Sequence, residues 1–283
     1  MTDDWDEAER RITAWAETQP AIRAVLVIGS RARRDHPADD WSDLDMIVFA
    51  DDVGPYLASA DWLNTFGEVW VWVQEWITTS TIDVPCPEYL AVYEGGRKLD
   101  FAFFPVDELR RLENVYRKGY RALVDKDGLA ARLIPAPSAL PPAEPPSPEA
   151  FETLNRQFWY AALQEARTLR RGDLWGTRLR DHGVKDHLLT MIEWHARARY
   201  GLDRDTWHSG RFMREWADPP VWEALYVTFG HFDADDSTRA LHATLVLFRR
   251  LSNETAQQWG YAYPARLDER ITGLINAVTS AIN

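Results

Sequence analysis

Apolar residues recur at Trp5, Ala8, Ile12 and Trp15, a spacing that lines them along one face of a helix. Asp3 and Asp4 ahead of them suit its N-terminus, and Pro20 ends it. The pattern then changes to short continuous apolar, β-branched runs at 21–28 and 44–50, which read as neighbouring strands, the first closed by Gly29-Ser30. Further strand-like runs lie at 68–76, 89–93 and 98–104, the last two joined by Glu94-Gly95-Gly96-Arg97 as a hairpin turn. From 149 onward helical periodicity returns, with helices expected at 149–171, 177–200, 221–229, 237–259 and 264–282. Between the two regimes, 135–148 carries seven prolines in fourteen residues, too many for a helix or a sheet interior. Ser147-Pro148-Glu149 then supplies an N-cap, a proline at the first helical position and an acid in the first turn. The expected architecture is an α/β (α+β) domain with a mixed sheet over 1–134, a linker over 135–148, and an all-α helical bundle over 149–283.

Composition narrows the function classes. The net charge of −12 disfavours a protein that must neutralise many nucleic-acid phosphates, and it suits a cationic small-molecule partner. No stretch of 18 uncharged apolar residues could span a bilayer, the first residues lack a secretory pattern, and Cys86 stands alone. A cytoplasmic monomer, bound to neither nucleic acid nor membrane, is expected. Most of the fourteen tryptophans are expected in the core, with two or three left for ligand contact.

Candidate chemistry concentrates in Val27-Ile28-Gly29-Ser30-Arg31-Ala32-Arg33 and Ser42-Asp43-Leu44-Asp45-Met46. Residues two apart in a strand share a face, so Asp43 and Asp45 project together. Two carboxylates on one rigid face repel unless a cation lies between them, and hard divalent ions take such oxygens together with substrate phosphates. Gly29 lets a ligand approach the backbone, Ser30 can donate to phosphate oxygens, and Arg31 or Arg33 can add charge-assisted bonds. Asp100 sits inside the apolar run Leu99-Asp100-Phe101-Ala102-Phe103, where an unpaired carboxylate is costly, which favours a functional role over a solvated face.

Gly29-Ser30-Arg31, Ser42-Asp43-Leu44-Asp45 and Leu99-Asp100-Phe101 resemble the DNA polymerase β-type nucleotidyltransferase superfamily. Within it the chain is similar to the aminoglycoside 6-adenylyltransferases, also called streptomycin adenylyltransferases. Asn155-Arg156-Gln157-Phe158-Trp159, Met191-Ile192-Glu193-Trp194-His195, Phe248-Arg249-Arg250 and Gly260-Tyr261-Ala262-Tyr263-Pro264 extend the resemblance through the helical half. It implies transfer of AMP from ATP to a hydroxyl of an aminoglycoside, at position 6 if the acceptor is streptomycin. Gly29 and Ser30 would hold the triphosphate, Asp43 and Asp45 would ligate one or two Mg²⁺, and Asp100 would be a third ligand or the general base. Such sites are often completed by a cation from the helical domain, for which Lys185 is the candidate, although Asp181 four residues earlier can pair with it.

Acceptor recognition is expected to use acids and aromatics lining a cleft between the halves, with Glu88, Glu94, Trp159, Glu165 and Glu193 as candidates. Glu193 can instead pair with Arg197, and Glu165 with Arg170. His182 and His187 point about 140° apart on a helix, unsuited to a shared zinc, and His195 on an apolar stripe reads as a packing residue. The 31–41 connection, with Asp39 and Asp40, is where the chain departs from the family. The competing readings are the same chemistry on a lincosamide, another metabolite or a protein, a catalytically silent nucleotide-binding module, and a nucleic-acid polymerase, which the charge disfavours.

Overall fold

The computed structural model describes residues 2–33, 35–79, 82–112, 119–130 and 144–280, and the chain divides into two compact units, Met1–Ala139 and Leu140–Asn283. Most of the proline-rich segment, 135–143, lies outside the described residues.

In the first unit, helix α1 (Thr2–Thr18) leads into β1 (Ile22–Val27) and β2 (Leu44–Ala50), and a short helix α2 (Gly54–Ala58) follows. The strands β3 (Val69–Thr79), β4 (Ile82–Tyr93), β5 (Lys98–Pro105) and β6 (Arg121–Asp125) complete one sheet in the order β3-β4-β5-β2-β1-β6. Every neighbouring pair is antiparallel except β2 and β5, which run parallel with Asp45 opposite Asp100.

Both faces of the central strands are covered, which is why they read as unbroken apolar runs. On one face Met46, Val48, Phe101 and Phe103 pack with Ile12 and Trp15 of α1. Tyr56, Trp62 and Phe66 join them in a mesh of edge-on and stacked rings, fastened where Tyr89 donates to the Tyr56 carbonyl at 2.8 Å. On the other face Ala24, Leu26, Ile47, Phe49, Ala102 and Phe104 form a smaller core with Leu109 and Leu129.

Two strands differ from expectation. β4 starts seven residues earlier than its apolar run, because its pairing with β5 begins only at Glu88, so the stretch with Pro85 and Pro87 needs to satisfy β3 alone. β6, unread in the sequence, is a five-residue edge strand whose apolar run, Ala122-Leu123-Val124, is too short to detect. The tryptophans also depart in part: Trp41, Trp70, Trp72, Trp76 and Trp175 are exposed, three of them on the edge strand β3.

In the second unit, α3 (Pro148–Arg170), α4 (Leu174–Tyr200), α5 (Met213–Trp216), α6 (Pro219–Leu225), α7 (Ala234–Trp259) and α8 (Ala265–Thr279) form the helical bundle. The N-cap read at Ser147 is made, its hydroxyl accepting from the Ala150 amide at 3.1 Å. Asp173 and Asp233 cap α4 and α7 in the same way, so the helices start earlier than their apolar periodicity does. Phe158 and Phe248 stack at 3.5 Å in the core beside Trp159, Leu188 and Ile192.

Candidate active site

β1 delivers the chain to Gly29 in the left-handed region (φ 66°), and a short turn carries Gly29 to Arg31. A Cβ at Gly29 would overlap Asp45 Oδ2, so the glycine serves the neighbouring strand as well as any ligand. Ser30 Oγ is buried with no hydrogen-bond partner. Arg31, expected to reach phosphate, turns inward instead. Its Nε donates to the Asp43 carbonyl at 2.9 Å, its Nη2 to the Ser42 carbonyl at 2.8 Å, and its guanidinium lies 3.7 Å from the Trp5 ring centroid. The fork is thereby engaged on two backbone oxygens. Arg33 is likewise engaged, by Asp35.

The acids converge. Asp43 precedes β2 and Asp45 lies within it, while Asp100 is carried by the adjacent parallel β5, and one oxygen from each lies within 4.8 Å of the others. Burial, then the charges of Asp43 and Asp100, push Asp45 up to about 7. Asp100 is only 6% exposed and is also raised, burial outweighing the bond from Lys98, and its Oδ1 is buried without a partner. Lys98 donates to Asp100 Oδ2 at 2.6 Å and to Asp43 Oδ2 at 3.0 Å. The sequence reading missed this lysine, although Lys98-x-Asp100 at strand spacing was the signal that would have found it.

Glu88, opposite Ala102 on β4, projects from the same face as Asp100, and burial followed by the charge of Asp100 raises it. Glu94 instead sits exposed in the turn after β4. Near Lys98 a cavity of about 310 Å³ is lined by Trp5, Trp41, Ser42, Gly95 and Gly96.

Of the candidates in the helical unit, Trp159 requires correction. It is fully buried under Arg249, whose guanidinium lies 5.5 Å from its ring, and it offers no face to an acceptor. Glu165 is 1% exposed and faces Asp181, Lys185 and Arg178 on α4 rather than Arg170. Burial, then the charge of Asp181, pushes it up to about 8. Lys185 forms an ion pair with Asp181, both largely buried. Glu193 is half-buried, with a raised pKa caused by burial and opposed by Arg197. His195 is buried with Nε2 2.7 Å from Glu254, the packing position expected of it.

Other helical motifs hold the bundle together. Asn155 accepts from Ser252 at 2.7 Å, and Arg249 grips Asp268 through two bonds at 2.5 and 2.6 Å while Tyr263 donates to the same carboxylate.

The mixed sheet thus sets a Gly-Ser turn beside carboxylates carried on two adjoining parallel strands. The family model described as Streptomycin adenylyltransferase matches residues 4–278, and the chain belongs to that family. The aminoglycoside 6-adenylyltransferase of Bacillus subtilis (strain 168) is 25% identical over 261 residues, 89% of either chain. That of Campylobacter jejuni is 26% identical over 270 residues, 92% of this chain and 91% of the relative. The crystal structure of an aminoglycoside 6-adenyltransferase from Bacillus subtilis matches with a TM-score of 0.46 and 20% identity, covering 96% of this chain and 98% of that one.

Proposed function

We propose that the enzyme transfers AMP from ATP to a hydroxyl of an aminoglycoside, with streptomycin and its position 6 as the expected acceptor, and releases pyrophosphate. The observation that carries the reading is the meeting of Asp43, Asp45 and Asp100 beside the Gly29-Ser30 turn. The donor set fits Mg²⁺: three hard carboxylates, one of them with a buried oxygen that lacks a partner, held at a distance where their repulsion calls for a cation. Asp43 and Asp45 would hold the ion, which supplies charge neutralisation on the phosphates when bound.

The chain's own residues do the rest. The Gly29 and Ser30 amides and the unpaired Ser30 hydroxyl are the groups that would hold phosphate oxygens. Asp100 has one oxygen committed to Lys98 and one free. The free Oδ1 takes the proton of the acceptor hydroxyl as its oxygen bonds to the α-phosphorus and the bond to pyrophosphate breaks. Glu88, on the same face, is the acid best placed to meet a cationic acceptor. Lys185, Glu165 and Glu193 remain candidates for nucleotide and acceptor contact, each already paired or half-buried within its own unit.

The test is incubation with ATP, Mg²⁺ and a panel of aminoglycosides and lincosamides, followed by pyrophosphate detection and product mass. Streptomycin should gain one AMP per pyrophosphate released. Modification of a lincosamide with streptomycin untouched would sink the acceptor assignment and leave the chemistry standing.

A further inference from the structure

Lys98 opens β5 on the same face as Asp100, two residues further along. Its ammonium bridges two strands, bonded to Asp43 Oδ2 beside β2 and to Asp100 Oδ2 within β5. The remaining oxygen of Asp100 is buried and unpartnered, and Asp45 takes no bond from the lysine.

The charges make this arrangement consequential. With all three carboxylates ionised, the ammonium leaves two net negative charges, which one divalent ion neutralises. A second divalent ion would have to displace the ammonium from two carboxylates or add positive charge to a cluster already neutral, and both are costly in a half-buried site. Resting on the metal-site reading above, we infer that Lys98 is a built-in second cation of this site: it holds Asp43 and Asp100 together and restricts the acid cluster to one divalent ion, bound through Asp45 and the Asp43 oxygen that Lys98 leaves free.

The experiment is titration of the nucleotide-free protein with Mn²⁺ alone, reading free Mn²⁺ by electron paramagnetic resonance. The parent should bind one ion per chain. Lys98→Met should bind two, with the first tightened by about tenfold or more, since a competing positive charge is gone. Lys98→Gln, neutral yet able to donate, should behave like the methionine variant, and Lys98→Arg should keep one ion. Thermal unfolding followed by circular dichroism establishes that each variant is folded, and the glutamine variant decides the matter if the methionine variant is not. Two ions bound by the parent, or neutral variants with unchanged stoichiometry and affinity, would overturn the inference while leaving the metal site intact. Asp45→Asn separates the two cases: if it leaves Mn²⁺ binding by the parent unaltered, the metal site itself is wrong and the role of Lys98 falls with it.

Discussion

Burial inside β2 beside two other carboxylates lifts Asp45 from 3.8 to about 7, and the ion-free protein carries the consequence. Between those values the folded chain keeps a proton that the unfolded chain has released. The folded state is therefore favoured most at low pH, and this contribution is lost as pH rises from about 4 through about 7. Asp45→Asn removes that slope. In EDTA at pH 8 the variant should be more stable than the parent, on the order of 1–3 kcal/mol, with the gain largely gone at pH 4, and with Mg²⁺ restored its turnover should be abolished. Urea denaturation at the two pH values checks the sign, and equal stability changes at both would show that Asp45 does not titrate as its surroundings require. Gly29 belongs to the same account, since the space it leaves is the space that Asp45 fills.

Among elements, the turn that follows β1 and the segment that enters β2 are joined by one side chain. Arg31 crosses from the turn to the Ser42 and Asp43 carbonyls and is clamped from behind by Trp5 of α1. The carbonyls it holds belong to the residues that present the first acid, so losing the guanidinium should let Asp43 drift. We expect Arg31→Ala to cost about 1–3 kcal/mol, as for hydrogen bonds to a charged donor, and to lower turnover by well over the effect on ATP affinity. Arg31→Lys should rescue little, because a single ammonium cannot reproduce the two-pronged bond. Kinetics that separate kcat from KM test the assignment. If Arg31→Ala raised KM for ATP alone, Arg31 would be a phosphate ligand after all.

For the whole molecule, each unit has an apolar core of its own. The second is built by α3, α4, α7 and α8 around Phe158 and Phe248, and polar pairs such as Asn155 with Ser252 and Arg249 with Asp268 close within the same unit. A fragment of residues 144–283 should therefore fold alone, with helical circular dichroism and a cooperative thermal transition. A non-cooperative melt would show that the helical half needs the sheet to fold, and that the proposed limits at 1–134, 135–148 and 149–283 do not mark independent domains.

The amino-acid sequence by itself determined what depends on local backbone geometry. The run at 44–50 is β2 to the residue, and the run at 98–104 is β5 but for its last residue, because strands covered on both faces leave unbroken apolar stretches. The two-residue period put Asp43 and Asp45 on one face, Ser147 capped its helix as read, and His195 packed as its stripe implied. Tertiary structure alone decided what depends on distant segments meeting. Nothing local sets β5 parallel to β2 with Asp100 opposite Asp45, because strand order and register follow from packing across the sheet. The same dependence hid the bridge made by Lys98 and turned Arg31 inward. It also buried Trp159 and Glu165, residues whose chemistry alone suited an exposed binding surface, since burial is settled by the neighbours that arrive from elsewhere in the chain.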